Sequence, residues 1–284
     1  MPEKQLFFDS NGYALFGVLY TPGAHSPAPA TGYLVCHPFA EEKKAAQNVL
    51  VEIARTLCDQ GFPVFLFDLR GCGDSQGDLS EATLSAWQED IANAAMLLKQ
   101  RTHVQSLGAV GVRLGAFLCA THRPASELFD RLVLIEPVLD PARYLKQSLK
   151  SKLVKELLTT GSVHSNRNAL LDDLENNVSI DFDGHAISPA FYHDVQQCKG
   201  RYPDGILSGF AGELLILPVS VTGKVSSELQ GQLTQAANRG KACRVVPIKM
   251  EPFWLRLESP DCRPLVQAIP GLLQPAEAAS CDPA

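Results

Sequence analysis

The chain has 284 residues with 45% hydrophobic content, enough to bury a sizeable core and ordinary for a globular fold. Its formal charge of −6 argues against a nucleic-acid or anionic-membrane surface. No apolar run reaches membrane-span length and the N-terminus lacks a signal-peptide pattern, so no integral membrane segment and a cytoplasmic location are expected.

Gln5–Phe8 and Tyr13–Tyr20 read as strands joined at Ser10-Asn11-Gly12, a hairpin turn signal. Gly32–Cys36 is a short buried strand ending at His37-Pro38-Phe39-Ala40-Glu41-Glu42. A helix is expected from about Lys43 to Gln60, with Val49, Leu50, Ile53, Ala54 and Leu57 at helical spacing and Gly61 as its stop. Phe62–Leu69 suits a strand covered on both faces. It leads into the glycine-rich Asp68-Leu69-Arg70-Gly71-Cys72-Gly73-Asp74-Ser75-Gln76-Gly77-Asp78. Ser80 then reads as the N-cap of a helix reaching Gln100.

Ser106–Val112 is the next strand, Leu114–His122 a helix and Arg131–Glu136 another buried strand. Strand and helix alternate, which predicts a mostly parallel, doubly wound α/β sheet. From 141 to 207 the sequence reads as a helical insertion over the sheet. It comprises a lysine-rich helix from Pro141 to Leu158, a short helix at Ala169–Asn177, an extended Val178–Gly184, and a helix opened by Ser188-Pro189. The face carrying Arg143 to Lys155 either attracts an acidic partner or membrane headgroups, or is simply solvated. Glu213–Val219 resumes the sheet, Glu228–Arg239 is a helix, Ala242–Ile248 the last strand and Pro264–Ile269 a final short helix. The expected domains are a core of 1–140 plus 208–273, the 141–207 cap, and a disordered tail at 274–284.

Gly111-Val112-Arg113-Leu114-Gly115 has the form Gly-x-X-x-Gly between a strand and a helix. That is the nucleophile elbow of the α/β-hydrolase fold, where a tight turn lifts one side chain above the sheet. The lifted residue is Arg113, a permanent cation that cannot attack a carbonyl. The acid slot, Ser220-Val221-Thr222-Gly223-Lys224, has no carboxylate, and the histidine slot, Lys249-Met250-Glu251-Pro252-Phe253, has no histidine. A Ser-His-Asp triad is therefore not expected.

Arg113 at a helix N-terminus would suit a carboxylate or phosphate, or would form an internal ion pair with Glu136, Glu41, Glu42 or Asp68. Glu136 is expected to face it. His37 reads as a polar pocket residue or general base, or as a loop anchor. It diverges from Cys36 because strand neighbours point to opposite faces. Asp68, Arg70 and Ser75 read as parts of a structural turn, with Asp68 and Arg70 binding loop backbone. The candidate catalytic residues are Arg113, His37 and Glu136. The candidate ligand-binding residues are Arg113, Phe39, Leu114, Glu41 and Trp254. No His/Cys spacing suits a metal, no cofactor is called for, and the eight cysteines read as free thiols.

Pro38–Lys44, Asp68–Asp78, Gly111–Ala116, Glu136–Val138, Gly184–Ala190 and Pro252–Trp254, in this order, resemble the exosortase A system-associated hydrolases of the second type. These bacterial proteins are encoded beside exosortase and exopolysaccharide genes and are grouped with serine aminopeptidase-like hydrolases. The resemblance spans nearly the whole chain and implies the α/β-hydrolase fold and an arginine at the elbow. It also implies the designation hydrolase, while Arg113 at the helix N-terminus suggests an anionic or acyl small-molecule ligand. The alternatives are an ester or thioester hydrolase with a non-standard site, in which His37, Glu136 or Glu41 activates water, and an accessory protein that docks exosortase-pathway partners. His37 departs from the family, which has proline there.

Overall fold

The computed structural model describes residues 2–23, 30–122, 128–162, 165–255 and 260–273; the proposed 274–284 tail and His164 lie outside them. Eight strands form the main sheet in the order β1 (Glu3–Ser10), β2 (Tyr13–Tyr20), β4 (Val64–Phe67), β3 (Thr31–Cys36), β5 (Ser106–Val112), β6 (Arg131–Ile135), β9 (Glu213–Leu217) and β11 (Cys243–Val245). The β1–β2 and β2–β4 pairs are antiparallel and the rest are parallel. The predicted doubly wound α/β architecture is what the chain adopts.

Apolar runs without alternation give strands buried on both faces, and two core clusters lie on opposite sides of the sheet. Helix α1 (Glu41–Asp59) covers one side. Helices α2 (Leu84–Thr102) and α3 (Leu114–Thr121) cover the other. Segment 141–207 contributes α4 (Pro141–Thr160), α5 (Arg167–Glu175), the hairpin β7–β8 (Ile180–Phe182 and His185–Ile187) and α6 (Pro189–Arg201). Helices α7 (Ser227–Asn238) and α8 (Arg263–Leu273) complete the fold.

Several boundaries differ from the sequence reading for local reasons. Asp78, not Ser80, is a cap: with Glu81 it forms a capping box around a 3₁₀ turn at Leu79–Glu81, and Thr83 then caps α2. The strands expected at 213–219 and 242–248 are each broken by a proline, Pro218 and Pro247. Proline cannot donate to a ladder, and the residues beyond form a separate parallel pair, β10 (Val219–Ser220) with β12 (Ile248–Lys249). The stretch expected to be merely extended is a hairpin turning at Asp183-Gly184, both at positive φ.

Candidate functional site

The elbow is set by close packing around two glycines. A Cβ on Gly111 would lie 2.5 Å from the Ala116 Cα, and one on Gly115 would lie 2.5 Å from the carbonyl oxygens of Cys36 and His37. Neither neighbour can yield, because all are backbone atoms. Between them Arg113 takes φ 55° and ψ −114°, a region that costs a non-glycine residue about 1–3 kcal/mol. The turn is tied down by the Arg113 N–H donating to the Ile135 carbonyl and the Val138 N–H donating to the Arg113 carbonyl. Ala40, which precedes α1, has a similar conformation at φ 48° and ψ −124°.

The Arg113 side chain is largely buried, with 18% of its surface exposed. Its Nε lies 3.4 Å from Glu42 Oε2, and its Nη1 donates to the Glu136 carbonyl at 3.3 Å. The guanidinium carbon sits 5.0 Å from the Trp254 ring centre and 5.4 Å from that of Tyr144, both at cation–π range. Glu42 is held there by the first turn of α1, where a carboxylate also complements the helix dipole. Burial raises its pKa, and the Arg113 charge opposes that rise. The Tyr144 hydroxyl is pushed well above its ordinary value by burial and then by the charge of Glu42. Arg113 Nε and Glu42 Oε2 are both buried, yet neither has a hydrogen-bond partner.

Phe39 and Leu114 close the space above the elbow. Phe39 stacks on Phe191 at 5.5 Å and packs edge-on to Tyr144 at 6.4 Å. The gap enclosed by Phe39, Leu114, Tyr144 and Phe191 leaves no room for a water molecule. A cleft of about 380 Å³ opens nearby, between Ala40–Lys44, the Gly71–Gly73 loop and His185 of the inserted hairpin.

The structure thus gathers Arg113, Leu114, Phe39 and Trp254, and adds Glu42 and Tyr144. Three candidates are turned elsewhere. The Glu136 carboxylate does not face Arg113: its Oε2 accepts from the Val219 N–H at 2.8 Å, and only its main-chain carbonyl meets the guanidinium. Burial raises its pKa, against the pull of Val219 and Arg113. His37 is the loop anchor and not a free base. Its Nδ1 donates to the Pro38 carbonyl at 2.7 Å and its Nε2 accepts from the Leu69 N–H at 3.2 Å, which uses both ring nitrogens. Burial and then Lys43 push its pKa down to about 4. Glu41 pairs with Lys155 of α4 at 3.6 Å, away from the elbow.

Cys36 points into the core beside the Cys119 thiol, and burial holds its pKa well above the usual value. The glycine loop is structural, as expected, although its bonds differ in part. Asp68 binds the Asp74 N–H and Lys43, and Ser75 bridges the Asp68 carbonyl to the Phe16 N–H. Arg70 pairs with buried Asp90 and not with loop backbone. The seven cysteines among the described residues are free.

Strand order, parallel core and a strained residue between two packed glycines define an α/β-hydrolase fold. The family model described as serine aminopeptidase, S33, matches residues 31–187, more than half of the chain, and the protein belongs to that family. Among solved structures it is similar to Est1E from Butyrivibrio proteoclasticus bound to ferulic acid, with TM-score 0.65, 17% identity, and coverage of 94% of this chain and 97% of that one. It is also similar to XC6422 from Xanthomonas campestris, described as an a/b serine hydrolase without lid, with TM-score 0.55, 16% identity, and coverage of 96% and 94%. An alpha-beta serine hydrolase homologue from Coxiella burnetii gives TM-score 0.58, 14% identity, and coverage of 96% and 99%. No curated protein matches by sequence. No helix among the described residues is long and apolar enough to cross a membrane.

Proposed function

We propose that this α/β-hydrolase-fold protein is non-hydrolytic and that Arg113 binds a carboxylate- or phosphate-bearing small molecule in the former active-site cleft. An acyl portion would lie against Phe39, Leu114 and Trp254. The observation that supports this reading is the half-made contact between Arg113 Nε and Glu42 Oε2, two buried atoms 3.4 Å apart with no hydrogen-bond partner. Buried donors in native proteins are nearly always bonded, so the Nε–H that Glu42 meets only as a loose ion pair is the group from which an incoming carboxylate or phosphate would accept. Glu42 then acts as an internal stand-in for the ligand's anionic group. Entry requires α4 and α6 to lift, because the space over Leu114 is closed.

The absence of a nucleophile at residue 113, of a carboxylate at 220–224 and of a histidine at 249–253 supports the non-hydrolytic part. The six ordered motifs support assignment to the exosortase A system-associated type. Proteins of exosortase or exopolysaccharide assembly would then be its partners, in the cytoplasm.

The test pairs thermal shift with activity. Fatty carboxylates, organic phosphates and acyl-CoA are titrated against wild type and Arg113→Ala. At least one is expected to raise the wild-type melting temperature and not that of the variant. A panel of p-nitrophenyl esters and thioesters is expected to give no turnover. The binding reading fails if no anion stabilises the wild type. The non-hydrolytic reading fails if esters turn over or a serine-directed fluorophosphonate labels the protein stoichiometrically.

A further inference from the structure

The outer face of α4 is the least explained surface of the molecule. The helix carries Arg143, Lys146, Lys150, Lys152 and Lys155 against Glu156 alone, a local charge of +4 on a chain whose formal charge is −6. Its inner side is fixed to the body. Lys152 pairs with Glu156 and Asp181, and Lys155 with Glu41 and Asp183, while Tyr144, Leu145 and Leu149 are buried. The opposite face runs Lys146, Lys150, Val154, Leu157 and Leu158, which at about 100° per residue fall within a stripe of about 120°. Val154 and Leu157 are each 49% exposed and Leu158 is 80% exposed. Lys146 and Lys150 make no ion pair among the described residues.

The face is divided along its length. The cations lie toward the start and the leucines occupy the last turn, with about 12 Å between Lys150 and Leu158 at the helical rise. We propose that this helix tip docks on an anionic lipid surface, with Val154, Leu157 and Leu158 entering the acyl boundary and Lys146 and Lys150 at the phosphates. Entered tip first, the helix would place Lys150 about 12 Å behind Leu158, on the headgroup side of the apolar last turn. Charge complementarity selects anionic headgroups. A second copy of the chain is a poorer occupant, because three exposed apolar side chains fall far short of the roughly 800 Å² per partner of a stable interface. Three insertions plus two unpaired lysines give weak, reversible attachment, since polybasic attraction falls off within a Debye length.

The experiment is co-sedimentation of the full chain with phosphatidylcholine vesicles, with and without phosphatidylglycerol. Binding is expected only with phosphatidylglycerol and is expected to weaken as salt rises. Two double variants, Lys146→Glu with Lys150→Glu and Leu157→Ser with Leu158→Ser, are each expected to weaken it by about tenfold or more. Met96→Ser, at an exposed site on α2, is expected to leave it unchanged. All substituted positions are solvent-facing, and circular dichroism of each variant confirms the fold. The inference is overturned if the wild type binds neither vesicle, or if binding survives both double variants. It is overturned equally if the leucine variant turns a dimer into a monomer on size exclusion, which would assign the face to a second copy.

Discussion

Removing the Arg113 side chain strands a buried carboxylate, and the cost should depend on pH in a defined direction. In Arg113→Ala, Glu42 loses the cation at 3.4 Å, and the rings of Tyr144 and Trp254 lose theirs. Breaking a buried pair by deleting one partner costs about 3–5 kcal/mol. The two side chains keep 18% and 16% of their exposure, so part of that is screened. An estimate of about 2–3 kcal/mol follows, equivalent to a fall of roughly 3–5 °C in melting temperature for a chain of 284 residues. Glu42 has a raised pKa in the folded state, so the native protein holds more protons than the unfolded chain above the ordinary carboxylate range. Stability from this group is therefore full below that range and is lost as pH rises through the folded value. Without Arg113 to oppose burial, the folded value rises further. The defect should be small near pH 5 and larger near pH 8, and Glu42→Gln in the same background should remove the difference. Urea titrations of wild type, Arg113→Ala, Glu42→Gln and the double variant across that interval measure it. A penalty that is flat with pH, or one that survives Glu42→Gln, would refute the assignment of Glu42 as the partner.

Gly115→Ala should destabilise by about 3 kcal/mol or more in urea, because its Cβ meets two carbonyl oxygens at 2.5 Å. Gly231→Ala in the interior of α7, with open space around it, should stabilise by about 0.5–1 kcal/mol. Asp90→Ala should cost about 3–5 kcal/mol, since Asp90 is fully buried and is the partner of Arg70 and of the Ser10 hydroxyl. His37 contributes with the opposite sign to Glu42. Its folded pKa of about 4 lies below the ordinary value of 6.5, so its contribution is full above 6.5 and is lost as pH falls through 4. His37→Ala should accordingly flatten the rise of stability from pH 4 to 6.5 in chemical denaturation.

The architecture was legible because its signals are local and repeated. Apolar runs such as Val64–Phe67 and Ser106–Val112 alternate with amphipathic stretches, and the Gly-x-X-x-Gly spacing locates the bend at Arg113. Sequence alone resolved the site less well, because its contacts join residues far apart in the chain. Glu42 was one of four carboxylates within the sequence's reach of Arg113. Only the placement of the first turn of α1 separates it from Glu41, which the next side-chain direction sends to Lys155. Tyr144 was missed because one aromatic near the start of a lysine-rich helix carries no motif; it matters only once α4 is laid across the elbow. His37 could have been recognised as an anchor only from the Leu69 N–H it accepts, 32 residues away. The β7–β8 hairpin did leave a trace, the Asp183-Gly184 pair, whose positive φ angles suit a tight turn.

The bend above the sheet owes its form to Gly111 and Gly115, not to what stands between them. A side chain at either glycine would collide with backbone, whereas the tip between them is sterically open to replacement. A hydroxyl and a guanidinium could each stand there without the strand being rebuilt. Homologues with altered chemistry are better sought by the pair of glycines and their spacing than by the amino acid they present.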